Sequence, residues 1–218
     1  MRSKVRKQRV RNKKTVYKII INDEIWGVLT KNTLRFFMSE NQIETELDSA
    51  KIKELKKEIE RQAWNKLMNY LSYRERSLKE CKTYLKRNFF KIEIEKVVIE
   101  RASKHNFINN ERYTELFVRE QLNKNKSKLE VKNKLYAQNI SENLIDRYLN
   151  KYYSYENERE LIRKNLAKAI KKYRKFDFYK MKEKVFSYMY RKGFKPNKFR
   201  DLFEVLVNEN KQTKEKFY

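Results

Sequence analysis

Apolar residues return along this chain at spacings of three and four, in short runs that break at a similar phase about every 50 residues. One run holds Leu78, Cys81 and Leu85, breaks at Phe89-Phe90, and resumes with Ile94 and Val98. The next holds Leu129, Val131 and Leu135, breaks at Asn139-Ile140, and resumes with Leu144 and Tyr148. The last holds Met181, Val185 and Met189, breaks at Gly193-Phe194, and resumes at Leu202. The pattern predicts one supersecondary unit used three times, each copy packing on its neighbour. The expected fold is all-α: three tandem three-helix repeats in an elongated array, over residues 61–108, 109–154 and 155–208, with a small β-hairpin extension in front.

The local signals place the elements. Val16–Ile21 and Ile25–Leu29 are β-rich and flank the turn signal Asn22-Asp23-Glu24, which predicts the hairpin. Asn32 or Thr33 is expected to cap a short helix through Met38. Asp48 reads as the N-cap of an amphipathic helix carrying Ile52, Leu55, Ile59, Ala63 and Leu67 to about Ser72, so that residues 15–60 form the hairpin and a linking helix. Ser77 with Glu80, and Ser127 with Glu130, match capping boxes. Asn110 and Ser141 are expected to cap the helices that follow them. Gly193 suits a helix C′ position of positive φ, and Pro196 the first turn of the final helix. Residues 1–14 lack apolar periodicity and read as a disordered basic arm, and 209–218 as a tail.

Charge changes this picture. Among 218 residues there are 55 Lys and Arg against 29 Asp and Glu, a net +26, which points to a polyanion, most often nucleic acid. The excess is concentrated. Residues 1–14 hold eight basic residues and no acid, and residues 164–200 hold fourteen with only Asp177 and Glu183 as acids. Such a run fits a phosphate-contacting face made from Lys171, Lys172, Arg174, Lys175, Lys182, Arg191, Lys192, Lys195, Lys198 and Arg200. Aromatic residues interleave with it. Phe186, Phe194 and Phe199 are expected inside, whereas Tyr188 and Tyr190 flank Met189 and are expected to face solvent, available to stack on unpaired bases.

Candidate chemistry is sparse. One Cys and one His cannot make a Cys/His zinc site, Cys81 falls on an apolar helix face, and His105 stands at a predicted helix end. No Gly-rich phosphate loop is present in a chain with two glycines. No metal, cofactor or enzymatic activity is expected. A lone cysteine suits a reducing compartment. No apolar run reaches bilayer length and the N-terminus lacks the apolar stretch of a secretory signal, so a cytoplasmic, monomeric protein is expected.

Three segments carry a resemblance. Arg74-Glu75-Arg76-Ser77-Leu78-Lys79-Glu80 resembles the R-x-R-S-x-x-E-L segment of the bacterial RecX family, regulators of RecA recombinase. Phe107 to Arg119, with Arg112, Tyr113 and Arg119, resembles that family's L-x-D-x-R-F-A-x-x-Y-V-x-x-R helix, and Tyr190-Arg191-Lys192-Gly193-Phe194 its closing L-x-R-R-G-F. The match covers about residues 60–207 in the family's order. It departs at Asn110 for the usual Asp, Thr114 for Ala, and Lys124-Asn125-Lys126 and Asn139 where the family has Gly. The resemblance implies a non-enzymatic protein that binds RecA filaments on single-stranded DNA and inhibits ATP hydrolysis and strand exchange. It makes Arg74, Arg76, Lys79, Arg112, Tyr113 and Arg119 the candidates for RecA contact, while the arm and the third repeat face single-stranded or double-stranded DNA. The alternative is a general or site-specific nucleic-acid-binding protein acting without RecA, because three-helix units resemble helix-turn-helix folds. A DNA-processing enzyme stands third.

Overall fold

The computed structural model describes residues 2–215, which divide into two compact units, one up to Asn110 and one from Glu111 onward. In the first unit the chain runs β1 (Arg2–Arg9), β2 (Val16–Ile21), β3 (Glu24–Thr30), α1 (Lys31–Leu34), β4 (Glu44–Asp48), α2 (Ser49–Leu71), α3 (Leu78–Arg87) and α4 (Ile92–Lys104). The second holds α5 (Asn110–Asn123), α6 (Lys128–Ala137), α7 (Glu142–Tyr152), α8 (Tyr155–Tyr173), α9 (Phe178–Arg191), a 3-10 turn (Pro196–Lys198) and α10 (Arg200–Glu215). The protein is therefore mostly helical, behind a four-stranded sheet. Most of the expected tail is the end of α10, and residues 216–218 lie outside the described residues.

The sheet corrects the expected hairpin. Its strand order is β3-β2-β1-β4, with every neighbouring pair antiparallel. β2 and β3 do form a hairpin: Asn22 and Asp23 both take positive φ (47° and 66°), the combination a two-residue I′ turn requires. The basic segment 1–14 is not an arm but contains β1, one of the two inner strands of the sheet. Val5, 1% exposed, anchors it in the core. Across from it, Arg2 pairs with Asp48, Lys4 with Glu46 and Arg6 with Glu44, so the acids of β4 face the bases of β1 along the ladder. Lys4 Nζ lies 2.9 Å from Glu44 Oε1, and Arg6 reaches Asp23 at 3.5 Å. Opposite charges on directly opposed residues favour the pairing, and they neutralise charges that look free in the sequence.

α2 starts where Asp48 accepts the Lys51 N–H at 2.8 Å. Leu55, Ile59, Ala63 and Leu67 form its fully buried stripe, at the four-residue spacing of a single helix face. Gly27 of β3 comes close enough to this stripe that a Cβ there would collide with Ile59 and stand 3.0 Å from Phe90.

In the second unit the core gathers Val118, Val131, Leu135, Ile145, Leu149, Leu166, Val185, Met189 and Phe203, all fully buried. Five helices among the described residues end in the same turn: α4, where the Phe107 N–H donates to Ala102 O at 2.9 Å after left-handed Asn106, α5, where the Lys126 N–H donates to Gln121 O at 3.0 Å after left-handed Asn125, and α3, α6 and α9. The N–H of Phe90 donates to Leu85 O at 3.2 Å, that of Ile140 to Leu135 O at 3.2 Å, and that of Phe194 to Met189 O at 3.1 Å. The residue before each donor is left-handed: Phe89 at φ 66°, Asn139 at 58° and Gly193 at 82°. These are Schellman closures, with Gly193 in the C′ position its sequence suggested. Ser127 caps α6 by accepting the Glu130 N–H at 3.1 Å, but the expected box is incomplete. The Glu130 carboxylate is held instead by Lys126 (2.9 Å) and Lys134 (2.8 Å). Ser141 takes the N-cap position of α7 without a side-chain capping bond. Pro196 opens the 3-10 turn rather than α10 itself.

Candidate nucleic-acid interface

α8 buries Leu161, Ile162, Leu166, Ala169 and Ile170, and α9 buries Met181, Val185 and Met189. These stripes commit one face of each helix to the core. The remaining positions include Arg163, Lys164, Lys168, Lys171 and Lys172 on α8 and Lys180, Lys182, Lys184 and Arg191 on α9, so the outer faces are rich in cations. Asp177 turns the chain between the helices by accepting the Lys180 N–H at 3.0 Å, which spends one of the two acids of this stretch on a cap.

Three rings meet at this turn. Tyr173 meets Tyr188 edge-on, with centroids 6.3 Å apart at 71°, and lies 6.5 Å from Phe176. Lysines surround them. The Lys172 ammonium lies 5.2 Å from the Tyr173 ring and 5.6 Å from the Tyr188 ring, and that of Lys192 is 5.3 Å from Tyr188. Around Phe176 stand Lys175, Lys180 and Lys184, at 5.4, 5.6 and 4.9 Å. Ring faces attract cations, so these side chains are steered without being neutralised. Among the described residues, Lys171, Lys172, Arg174, Lys175, Lys180, Lys184, Arg191, Lys192, Lys195 and Arg200 form no ion pair. Lys182 and Lys198 differ: Lys182 lies 3.5 Å from Glu204 and Lys198 is 2.6 Å from Glu158. A dense set of unpaired cations repels itself, and a polyanion relieves that repulsion.

The structure thus brings the expected basic residues of α8 and α9 to neighbouring positions and takes Lys182 and Lys198 partly out of play. Tyr190 is 70% exposed, as its flanking position suggested. Tyr188 is not: it is half-buried against Tyr173, because the α8–α9 packing reaches one side of Met189 and not the other. Lys180 and Lys184 were missing from the sequence-based set. Their spacing of four and eight residues from Phe176 is the signal the sequence carries.

The candidates for protein contact divide differently. In the first unit, Ser77 Oγ accepts the Glu80 N–H (3.0 Å), Glu80 Oε2 accepts the Ser77 N–H (3.0 Å), and Asn110 Oδ1 accepts the Leu78 N–H (2.9 Å). Arg74 holds the other oxygen of Glu80 at 2.6 Å, and Arg76 lies 3.8 Å from it and 4.2 Å from the Tyr70 ring. The Arg-Glu-Arg-Ser segment therefore builds the start of α3, and Arg76, 16% exposed, has a structural role there. Glu80→Ala removes one side of this box and is expected to lower stability by roughly 0.5–2 kcal/mol, read from urea denaturation. In the second unit Tyr113 is 4% exposed and stacks near Phe117 with centroids 5.7 Å apart, which corrects its assignment to an interface: it is core. Lys79 and Arg119 are exposed and Arg112 is half-buried.

Cys81 is fully buried, and burial pushes its thiol up to about 12, far from thiolate chemistry at neutral pH. Among the described residues no group of three or more His, Cys, Asp or Glu is arranged to hold a metal, and no helix is long and apolar enough to cross a membrane.

No family model matches the chain. Individual relatives do. A protein named Regulatory protein RecX from Clostridium acetobutylicum is 29% identical over 157 residues, 65% of this chain and 72% of that one. Its namesake from Streptococcus sanguinis is 26% identical over 207 residues, 94% of this chain and 78% of that one. Among solved structures, one described as the crystal structure of regulatory protein RecX superposes with a TM-score of 0.64 at 22% identity, covering 93% of this chain and 98% of that chain. The RecX structure from Lactobacillus salivarius gives 0.58 at 22% identity, over 68% and 96% of the two chains. The order of the three sequence segments, the shared fold and these relatives agree, and together they support assigning this chain to the RecX family of regulatory proteins.

Proposed function

We propose that this chain binds RecA filaments on single-stranded DNA and lowers their ATP hydrolysis and strand exchange, catalysing no reaction itself. The observation that carries this reading, beside the family assignment, is the set of unneutralised cations around Tyr173, Phe176 and Tyr188. Such a surface suits phosphates and is indifferent to sequence, so it serves double-stranded DNA as well. The DNA-facing surface is placed on the second unit and not on β1, where Arg2, Lys4 and Arg6 lie opposite the acids of β4. Exposed Arg74, Lys79 and Arg119, with Arg112, remain the candidates for RecA contact. The chain acts as a monomer in the cytoplasm, where its one thiol stays reduced. Of the five Schellman turns, those at Phe89, Asn139 and Gly193 follow α3, α6 and α9 at one register, which supports an origin in three tandem three-helix units.

The test is DNA-dependent ATP hydrolysis by the cognate RecA with this protein added in increasing amounts, alongside co-sedimentation with the filament. Hydrolysis is expected to fall with occupancy. Unchanged hydrolysis with no co-sedimentation would remove the proposal. A second reading, DNA binding without RecA, is favoured by the same cationic surface, which needs no partner to attract phosphates. It predicts DNA binding without any change in RecA activity and, for a site-specific binder, a preferred duplex that resists competitor DNA.

A further inference from the structure

On the outer face of α9, beside the lysine cluster, an open groove of about 450 Å³ is lined by Tyr173, Glu183, Lys184, Ser187, Tyr190 and Arg191. That size falls within the range of about 300–1,000 Å³ common for small-ligand sites. The α9 residues follow one another at helical spacing, so they share one face, and Tyr173 stands opposite on α8. The two rings differ in their freedom. Tyr173 is half-buried and braced by Tyr188, whereas Tyr190 is 70% exposed. A fixed ring and a movable ring make a platform on which a flat unpaired base can stack.

Glu183 is the unexpected member. It and Asp177 are the sole acids between residues 164 and 200, and Asp177 is occupied by its cap. Glu183 is exposed and forms no ion pair among the described residues, although lysines flank it on both sides in the chain. A carboxylate in a phosphate-binding surface costs affinity for the backbone, so what it offers a nucleic acid is acceptance of hydrogen bonds from a base edge. Ionised, it can only accept. Guanine presents two adjacent donors on its Watson–Crick edge, N1–H and the 2-amino group, which match the two oxygens of one carboxylate. Cytosine and adenine each present one amino donor next to an acceptor nitrogen. Thymine presents one N–H between two carbonyls that repel the carboxylate.

We propose that this groove is a base-reading subsite for single-stranded DNA that prefers guanine: the base stacks at Tyr190 and Tyr173, Glu183 accepts from its edge, and Lys184 and Arg191 hold the flanking phosphates. The proposal rests on the DNA-binding reading above and deepens it.

The experiment measures fluorescence anisotropy of the full chain with labelled oligothymidine and with oligothymidine in which every third base is guanine, cytosine, adenine or abasic. Guanine is expected to raise affinity about tenfold over thymine, the range of one good bidentate base contact. Glu183→Gln loses one acceptor, and should reduce that preference to about twofold or less while binding oligothymidine at least as well as the unaltered protein. Tyr190→Ala, at an exposed helix position, should weaken all base-bearing oligonucleotides about tenfold and the abasic-containing one less. Equal affinity for all the oligonucleotides, or a guanine preference that survives Glu183→Gln, overturns the subsite while leaving DNA binding intact. Absence of binding to any of them overturns the DNA-binding reading itself.

Discussion

Replacing Lys172, Lys175, Lys184, Arg191 and Lys192 together by Ala is expected to weaken single-stranded DNA binding on the order of a hundredfold at low salt and to flatten its salt dependence. None of the five forms an ion pair among the described residues, so each ammonium or guanidinium is available to displace a counterion from a phosphate. Each lost contact should reduce the slope of log K against log salt by about 0.7 on single strands, up to about 3.5 for the set. The informative comparison is the double variant Lys182→Ala and Lys198→Ala. These cations already face Glu204 and Glu158, and their removal should change affinity by well under tenfold, within the reach of exposed ion pairs. Charge counting along the sequence treats both sets alike; the structure does not. Four of the five side chains also sit over rings, at roughly 0.5–1 kcal/mol each for exposed cation–π pairs. Circular dichroism at the binding temperature must therefore show the variant folded. If the paired set loses the slope and the unpaired set keeps it, the DNA-facing surface lies elsewhere on the second unit.

Much of the helical part was legible because its signals are local. Asp48 and Ser77 stand at the N-caps their sequence context suggested, and Gly193 at its C′ position, since a cap and the turn that needs it lie within a few residues. The strands were not. β1 reads Arg-Ser-Lys-Val-Arg-Lys-Gln-Arg, with Val5 its one buried apolar residue, and its acidic partner β4 lies far along the chain. Nothing local distinguishes such a segment from a solvated arm. The same limit governs the site. The basic run between residues 164 and 200 announces its charge in composition, but the acids that neutralise Lys182 and Lys198 arrive from α10 and the first turn of α8. Tyr188 and Tyr190 are equivalent in the sequence, and packing against Tyr173 separates them. The Arg74–Glu80 segment shows the converse: a motif conspicuous enough to suggest partner contact is largely explained by four side chains closing one helix terminus.

Leu135→Ala is expected to destabilise the second unit by roughly 2–5 kcal/mol, the cost of emptying a fully buried leucine site that its surroundings cannot refill. Leu135 is 0% exposed and belongs to the core that includes Val118, Val131, Ile145 and Leu149. It sits on a helix of ten residues, too short to persist without tertiary packing. Its carbonyl also receives the N–H groups of Gln138 (3.0 Å) and Ile140 (3.2 Å), so the side chain anchors the turn that reverses the chain into α7. A domain is typically stable by only 5–15 kcal/mol, so this loss is a large share of what holds the unit together. Leu129→Ala provides the control on the same helix. Leu129 is 50% exposed, and its truncation should cost under about 1 kcal/mol. Urea denaturation of the two variants separates them. An unaffected Leu135→Ala beside a strongly destabilised Leu129→Ala would mean that α6 presents a different face to the core. Because the lysine cluster belongs to the same unit, Leu135→Ala should also weaken DNA binding as temperature rises, and bind normally where circular dichroism shows it fully folded. That behaviour separates a residue that supports the surface from one that touches DNA.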